Sequence, residues 1–194
     1  MWAVGIVPAA GRSDRFGGVK LVADVKGEPL LNHTIRCLID GGVRRVIVVV
    51  APARGGTDPG AALKAAVPLL NDGRVVTAVN PDPGRGMFSS VQAGVSGAVG
   101  DLLVVLPGDM PFVQPDTVRA VVEAAHETGL IVSPRHQGRR GHPIALPGRL
   151  RAPILGAPPT STLQAVLAPE SANRIDLDVA DGGVLRDVDA KEDL

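Results

Sequence analysis

The sequence predicts an α/β fold: a mostly parallel sheet with helices on both faces, in one domain spanning residues 1–194. Two observations carry that prediction. Short β-rich runs recur at 3–7, 45–50, 75–79, 102–106 and 130–133, and they are continuously apolar. Runs that do not alternate are the pattern of parallel strands covered on both sides. Helix-like stretches at 29–40, 59–70, 87–99 and 115–127 fall between them. Strand–helix alternation of this kind builds a sheet through right-handed crossovers.

The elements can be justified in order. The first run opens the chain and leads straight into a glycine-containing loop. Helices 29–40, 59–70 and 115–127 begin with Pro, which is pre-organised for a first helical turn, and the first ends at Gly41-Gly42, a helix stop. "SPRHQGRRGHPIALP" (133–147) reads as an extended segment, a polar turn and a return strand. "TSTLQAVL" (160–167) reads as a short helix capped by Thr160 or Ser161. The closing "GGVLRDVDAKEDL" reads as a strand, a tight acidic loop and a helix start.

Composition narrows the function. At this length folding buries roughly 70% of the chain's surface, enough for a core. Aromatics are 2% of residues and there is no Tyr, so Val, Leu, Ile and Ala must fill it. That leaves little for stacking on nucleic-acid bases. Twenty basic residues balance twenty acidic ones, with no long basic run, so a small-molecule partner is expected and a nucleic acid is not. The one cysteine, Cys37, lies in an apolar helical stretch and reads as a buried, inert thiol. No apolar run approaches a membrane span, and the N-terminus lacks a basic leader; a soluble, cytoplasmic protein without a membrane partner is expected.

"VPAAGRSDRFGGVK" (7–20) follows the first strand. Its glycines at 11, 17 and 18 let backbone amides face a ligand, and Arg12, Arg15 and Lys20 add positive charge. The loop reads as a phosphate site, or otherwise as a structural turn with solvated charges. The spacing is neither the phosphate-loop motif ending in Gly-Lys-Ser/Thr nor G-x-G-x-x-G, which argues against a redox dinucleotide fold.

Asp109 stands at the end of the fourth strand, in a turn stiffened by Pro107 and Pro111. A lone carboxylate there suits Mg²⁺, which takes one or two carboxylates plus phosphate oxygens, or it caps a helix. Asp116, after Pro115, reads as stabilising a helix N-terminus. Asp187 and Asp189 are two apart, so a strand would put them on one face; either could complete a metal site, or both are a solvated turn. Arg135, Arg139 and Arg140 flank a hairpin as a basic rim or a solvated turn, His33 and His126 read as surface or packing residues, and Trp2 as edge packing.

Taken together, "PAAGRSDRFGGVKL", "GEPLLNHTI", "NPDPGRGMFSSVQAGV", "LPGDMPFV", "RRGHPIAL" and "DVDAKEDL" resemble, in the same order, the NTP-transferase family, most closely its molybdenum cofactor cytidylyltransferases. The resemblance spans nearly the whole chain. It implies a three-layer Rossmann-like fold of the nucleotide-diphospho-sugar transferase type. It also implies a Mg²⁺-dependent transfer of CMP from CTP to a phosphorylated small molecule, with molybdopterin as leading acceptor and a molybdoenzyme as a further partner. Ala9, Ala10, Gly11, Arg12, Ser13, Arg15 and Lys20 match the family's nucleotide-binding loop, with Arg15 and Lys20 on the phosphates. Asn80, Gly86, Met87, Ser89 and Ser90 match the stretch framing base and ribose. Asp109 and Asp189 match the metal ligands, and His142 a segment facing the acceptor. Arg15, Lys20 and Asp109 would be the catalytic residues.

Two positions depart from the family pattern: Ala190-Lys191 stands where relatives have Thr-Pro, and Pro8 replaces an aliphatic residue. Ala10, where guanylyltransferases tend to carry Gly, favours CTP because its methyl crowds a purine. The competing expectations are a guanylyl- or uridylyltransferase for another phosphate, and a nucleotide-binding accessory protein for molybdoenzyme maturation.

Overall fold

The computed structural model describes residues 2–11, 16 and 19–194. In chain order its strands are β1 (Ala3–Pro8), β2 (Asp24–Val25), β3 (Glu28–Pro29), β4 (Arg45–Val50), β5 (Val75–Val79), β6 (Leu102–Val105), β7 (Ile131–His136), β8 (Arg139–Arg140), β9 (Ile144–Pro147) and β10 (Arg174–Asp178). Its helices are α1 (Leu30–Asp40), α2 (Pro59–Ala66), α3 (Met87–Gly97), α4 (Pro115–Thr128), α5 (Arg151–Gly156) and α6 (Leu163–Leu167).

The main sheet runs β10-β7-β9-β6-β1-β4-β5, with β8 paired to β7. Its β1–β4, β1–β6, β4–β5 and β7–β10 pairs are parallel, and β9 runs antiparallel between β6 and β7. The mostly parallel sheet is therefore as expected, with the return strand of 133–147 inserted as β9. From β1 the chain first builds outward through β4 and β5, then returns to the other side of β1 with β6. The strand order reverses between β1 and β6, and open α/β sheets bind ligands at the C-terminal strand ends of such a switch point.

Successive strand residues point to opposite faces, which splits the core in two. Val4, Ile6, Ile47, Val49, Leu103 and Val105 pack in the layer that includes Phe88, Val91 and Val95 of α3. Ala3, Val7, Val46, Val48 and Val104 pack in the layer that includes α1 and α4. Cys37 lies in this second layer; burial, with Asp181 and Asp40 adding to it, pushes its thiol pKa far up, so the residue stays protonated and inert. Trp2 packs at the edge of the first layer. No helix among the described residues is long and apolar enough to cross a membrane.

Several elements differ from the sequence expectation. Helix α2 stops at Ala66 and not near residue 70, because Pro68 disfavours helical backbone at Val67, which takes φ −113° and ψ 99°. Residues 68–71 continue as a 3-10 turn. The short helix begins at Leu163, and its cap is Thr162, whose hydroxyl accepts from Ala165 N at 3.0 Å, in place of Thr160 or Ser161. The "GGVL" segment is a 3-10 turn and not a strand, because Asp181 Oδ1 accepts Gly183 N at 2.8 Å and caps it. Strand β10 and helix α5 are additional elements.

Candidate active site

The site is built on the C-terminal ends of β1 and β6. Past β1, Ala9 and Ala10 are buried and Gly11 is exposed, and Ala9 N donates to Val49 O at 2.8 Å, pinning the loop to β4. Arg12, Ser13 and Arg15 lie outside the described residues. Lys20 opens a 3-10 turn, Lys20–Val22, and its ammonium reaches across the switch point. Its Nζ lies 2.8 Å from Asp109 Oδ2 and 3.4 Å from Asp189 Oδ1. Burial pulls the Lys20 pKa down, but the hydrogen bonds and charges of Asp109 and Asp189 outweigh it and raise it, so the group is a cation at neutral pH.

The Asp109 turn is held from both sides. Gly108 N donates to Pro8 O at 3.0 Å, and Thr34 Oγ1 donates to Gly108 O at 3.1 Å. Asp109 caps no helix, since α4 starts only at Pro115 with Gln114 as its N-cap. Asp116 sits in the first turn of α4 and pairs with Arg119 at 2.6 Å.

Asp189 arrives on the closing segment. Val188 is fully buried and its N–H donates to Asp109 O at 2.9 Å, so the segment is tied to the Asp109 turn itself. The Asp193 carboxylate then accepts from Asp189 N and Ala190 N, both at 2.8 Å. Those two bonds depress its pKa and hold the loop where Ala190-Lys191 departs from the family pattern. Asp189, not Asp187, is the residue that Lys20 joins to Asp109. Among the described residues no group of three or more His, Cys, Asp or Glu forms a metal cluster. Two converging carboxylates are the hard-oxygen donor set that suits a Mg²⁺-like ion completing its shell with phosphate oxygens and water.

A cavity of about 310 Å³ opens here, bordered by Ala9, Ala10 and Gly11, by Lys20, Asp109 and Asp189, and by Gly86, Met87 and Ser90. Gly86 takes φ 93° and ψ 175°, a region essentially restricted to glycine, and it puts the N-terminus of α3 on the cavity wall. A helix N-terminus favours an anion. Asn80 and Ser89 do not border this cavity. Asn80 is buried behind it and donates to Ser89 Oγ at 2.8 Å and Ser90 Oγ at 2.9 Å, while Ser89 Oγ donates to Gly86 O at 2.7 Å. Their place is to lock the Gly86 turn.

A larger cavity of about 620 Å³ adjoins the first, sharing Gly86, Met87 and Pro107 with it. Phe88, Val91, Val105, Ile144, Leu163 and Leu167 give it apolar surface; Ser133, Arg140, His142 and Arg174 give it polar surface. Arg135 pairs with Asp178 and Arg140 with Asp176, while Arg139 is exposed. The basic turn is thus largely paired across β7 and β10, with Arg140 also on the cavity. Arg174 was not singled out from the sequence; the alternation of "RIDLD" is the signal that could have placed it on a strand. A third cavity, about 540 Å³ between α1 and the Phe112–Pro115 stretch, borders none of Lys20, Asp109 or Asp189.

Burial lowers the His142 pKa below its ordinary 6.5, against the charges of Asp109 and Asp187. The sign follows: below about pH 6.5 the unfolded chain takes up a proton that the folded one resists, so stability is full above that pH and falls as the pH drops towards the folded value. Thermal unfolding from about pH 8 to about pH 5 should show this loss, and His142→Asn should flatten it.

A family model described as the MobA-like NTP transferase domain matches residues 5–175. The chain belongs to this family. It is a nucleotidyltransferase of the cytidylyltransferase-like kind. Asp189 and the loop that carries it lie beyond the matched residues. The chain is 32% identical over 192 residues to 2-C-methyl-D-erythritol 4-phosphate cytidylyltransferase of Streptomyces coelicolor, covering 94% of this chain and 69% of that one. It is 23% identical over 189 residues to molybdenum cofactor cytidylyltransferase of Escherichia coli, covering 97% and 92%. A nucleotidyl transferase from Methanothermobacter shares the fold at a TM-score of 0.80 and 20% identity, over 99% of this chain and 94% of that one.

Proposed function

We propose that this protein transfers CMP from CTP to a phosphorylated small molecule and releases pyrophosphate, with molybdopterin as the acceptor and Mg²⁺ held by Asp109 and Asp189. The observation that carries the reading is the Lys20 ammonium set between two carboxylates at the mouth of β1 and β6. That arrangement suits a triphosphate arriving with its divalent cation. The carboxylates would take the metal, and Lys20 would turn to the phosphate oxygens.

The chemistry is one displacement. An acceptor phosphate oxygen attacks the α-phosphorus, a new P–O bond forms, and the bridging bond to the β-phosphate breaks. Its electron pair leaves with pyrophosphate. Mg²⁺, when bound, would neutralise charge on the phosphate oxygens. Ala9 to Gly11 and the α3 N-terminus position the nucleotide, and Lys20 stabilises the departing pyrophosphate. An acceptor phosphate is already largely ionised near neutral pH, so no strong general base is needed, and His142 is a contact to the acceptor. Ala10 borders the cavity, which supports CTP over GTP.

The larger cavity is the acceptor site in this reading. Its volume and apolar surface suit a fused-ring acceptor such as molybdopterin. Such an acceptor implies handover of the product to a molybdoenzyme. A second reading, transfer to 2-C-methyl-D-erythritol 4-phosphate, is favoured by the Streptomyces relative. The test is transfer of label from α-labelled CTP, GTP and UTP to each acceptor, with and without Mg²⁺. Mg²⁺-dependent CMP transfer to molybdopterin is expected. Transfer to the methylerythritol phosphate alone establishes the second reading. Nucleotide binding without turnover overturns both and leaves an accessory protein.

A further inference from the structure

Arg174 opens β10 and borders the larger cavity with a charge its neighbours do not balance. One of its terminal nitrogens donates to Ser133 Oγ on β7 at 2.9 Å, but its Nε is buried without a hydrogen-bond partner among the described residues. The Asp176 carboxylate lies 3.9 Å from that Nε, and the same oxygen already accepts from Arg140 at 2.6 Å. Asp178, the next carboxylate on the strand, is occupied by Arg135 at 2.7 and 2.9 Å. Arg85, also on the cavity wall, is paired with Asp82 at 2.9 Å. Two guanidinium groups therefore share one carboxylate at the cavity. Burial first, and then the charge of Arg140, pull the Arg174 pKa below its usual value. Nε itself is closed to solvent, so an arriving anion would meet the guanidinium at a terminal nitrogen and relieve the surplus charge.

We infer that this cavity takes an acceptor with an apolar body and a second anionic group, distinct from the phosphate that reacts, and that Arg174 receives that anion beside Arg140. The inference rests on the larger cavity being the acceptor site. The reacting oxygen must reach the nucleotide beside Lys20, Asp109 and Asp189, which border the smaller cavity only. Arg174 and Arg140 border the larger one only, beyond the shared Gly86, Met87 and Pro107. The anion held there is therefore a different group. A guanidinium suits an anion, which on molybdopterin would be the dithiolene sulfurs, the only anionic group besides the reacting phosphate, and Phe88, Val91, Leu163 and Leu167 suit its ring body. Arg174 is a specificity-determining contact; it touches no reacting atom.

The test uses two fluorescent probes of nearly the same shape, anilinonaphthalene sulfonate and uncharged phenylnaphthylamine, with and without saturating CTP. The wild-type protein should bind the sulfonate about tenfold more tightly than the neutral probe. Arg174→Gln should erase that preference, Arg174→Lys should keep part of it, and Arg186→Gln, in the third cavity, should leave it intact. In the transfer assay Arg174→Gln should raise the KM for the acceptor at least about tenfold and leave the KM for CTP unchanged. Equal affinity for the two probes in the wild type, or an undiminished preference in a folded Arg174→Gln, overturns the inference. Should the wild type transfer no CMP at all, the functional reading falls, while the probe comparison still decides whether Arg174 binds an anion.

Discussion

Asp109→Asn will lower kcat/KM for nucleotidyl transfer by about three orders of magnitude, about 4 kcal/mol of transition-state stabilisation. The protein will stay folded, with its melting temperature within a few degrees of the wild type. The geometry separates the two effects. The Asp109 side chain is 27% exposed, and Lys20 also pairs with Asp189, so the ammonium keeps that partner when the charge is removed. The pair is half-buried, with Lys20 13% exposed, so it contributes more than the about 1 kcal/mol of a surface pair, but the asparagine oxygen still accepts from the ammonium. The backbone of the turn rests on bonds that the substitution does not touch: Gly108 N to Pro8 O, Thr34 Oγ1 to Gly108 O, and Val188 N to Asp109 O.

Activity has no such reserve. Of the two carboxylates that meet the Lys20 ammonium, Asp109 is the closer and the less exposed; Asp189 is 61% exposed and lies 3.4 Å away. Asp189→Asn should therefore cost less. Steady-state kinetics beside a thermal melt of the same samples checks the prediction. Unchanged turnover in a folded Asp109→Asn would remove Asp109 from the proposed metal site.

Those carboxylates also show how far the sequence reaches. The strand ends were legible because a parallel strand buried on both faces must be continuously apolar, and a polar residue straight after "LLVVLPG" must stand at its mouth. Asp109 could be placed that way. Asp189 cannot be told from Asp187 by the residues alone, because the segment reads as a strand that puts both on one face. The structure turns it with a 3-10 turn capped by Asp181 and anchors it through Val188. The anchoring bond joins Val188 to Asp109, nearly eighty residues apart, and no local pattern encodes it. β10 is the opposite case. It is a half-buried edge strand that alternates Ile175 and Leu177 with Arg174, Asp176 and Asp178, a signal present in the sequence but weaker than the continuous apolar runs. Asn80 and Ser89 carry a further lesson: their matched motif pointed to the nucleotide, whereas their hydrogen bonds run to the wall that would hold it.

Gly183→Ala should be the most disruptive small substitution outside the two cavities, because the second carboxylate depends on a seam with no room for a methyl. A Cβ on Gly183 would overlap the carbonyl of Phe112, three residues after Asp109, and that obstacle is backbone that cannot rotate away. The opposite side of the segment is equally close, since a Cβ on Gly141 would overlap the Val184 carbonyl, which accepts from His142 N at 3.0 Å. Residues 182–188 are thus clamped between the turn that carries Asp109 and the strand entry that carries His142. The methyl must push the segment outward and stretch the Val188 N to Asp109 O bond. Forced overpacking of this kind costs about 3 kcal/mol, or about 6–12 °C in melting temperature for a chain of this length. Because the displaced segment carries Asp189, the Mg²⁺ concentration for half-maximal transfer should also rise, by about tenfold, the equivalent of 1.4 kcal/mol. Gly182→Ala is the control: its nearest contact would be His136 Nε2 at 3.6 Å, an ordinary van der Waals distance, so it should melt and turn over like the wild type. If Gly183→Ala matches that control in both measurements, the seam yields easily, and the closing segment does not set the distance between the two carboxylates.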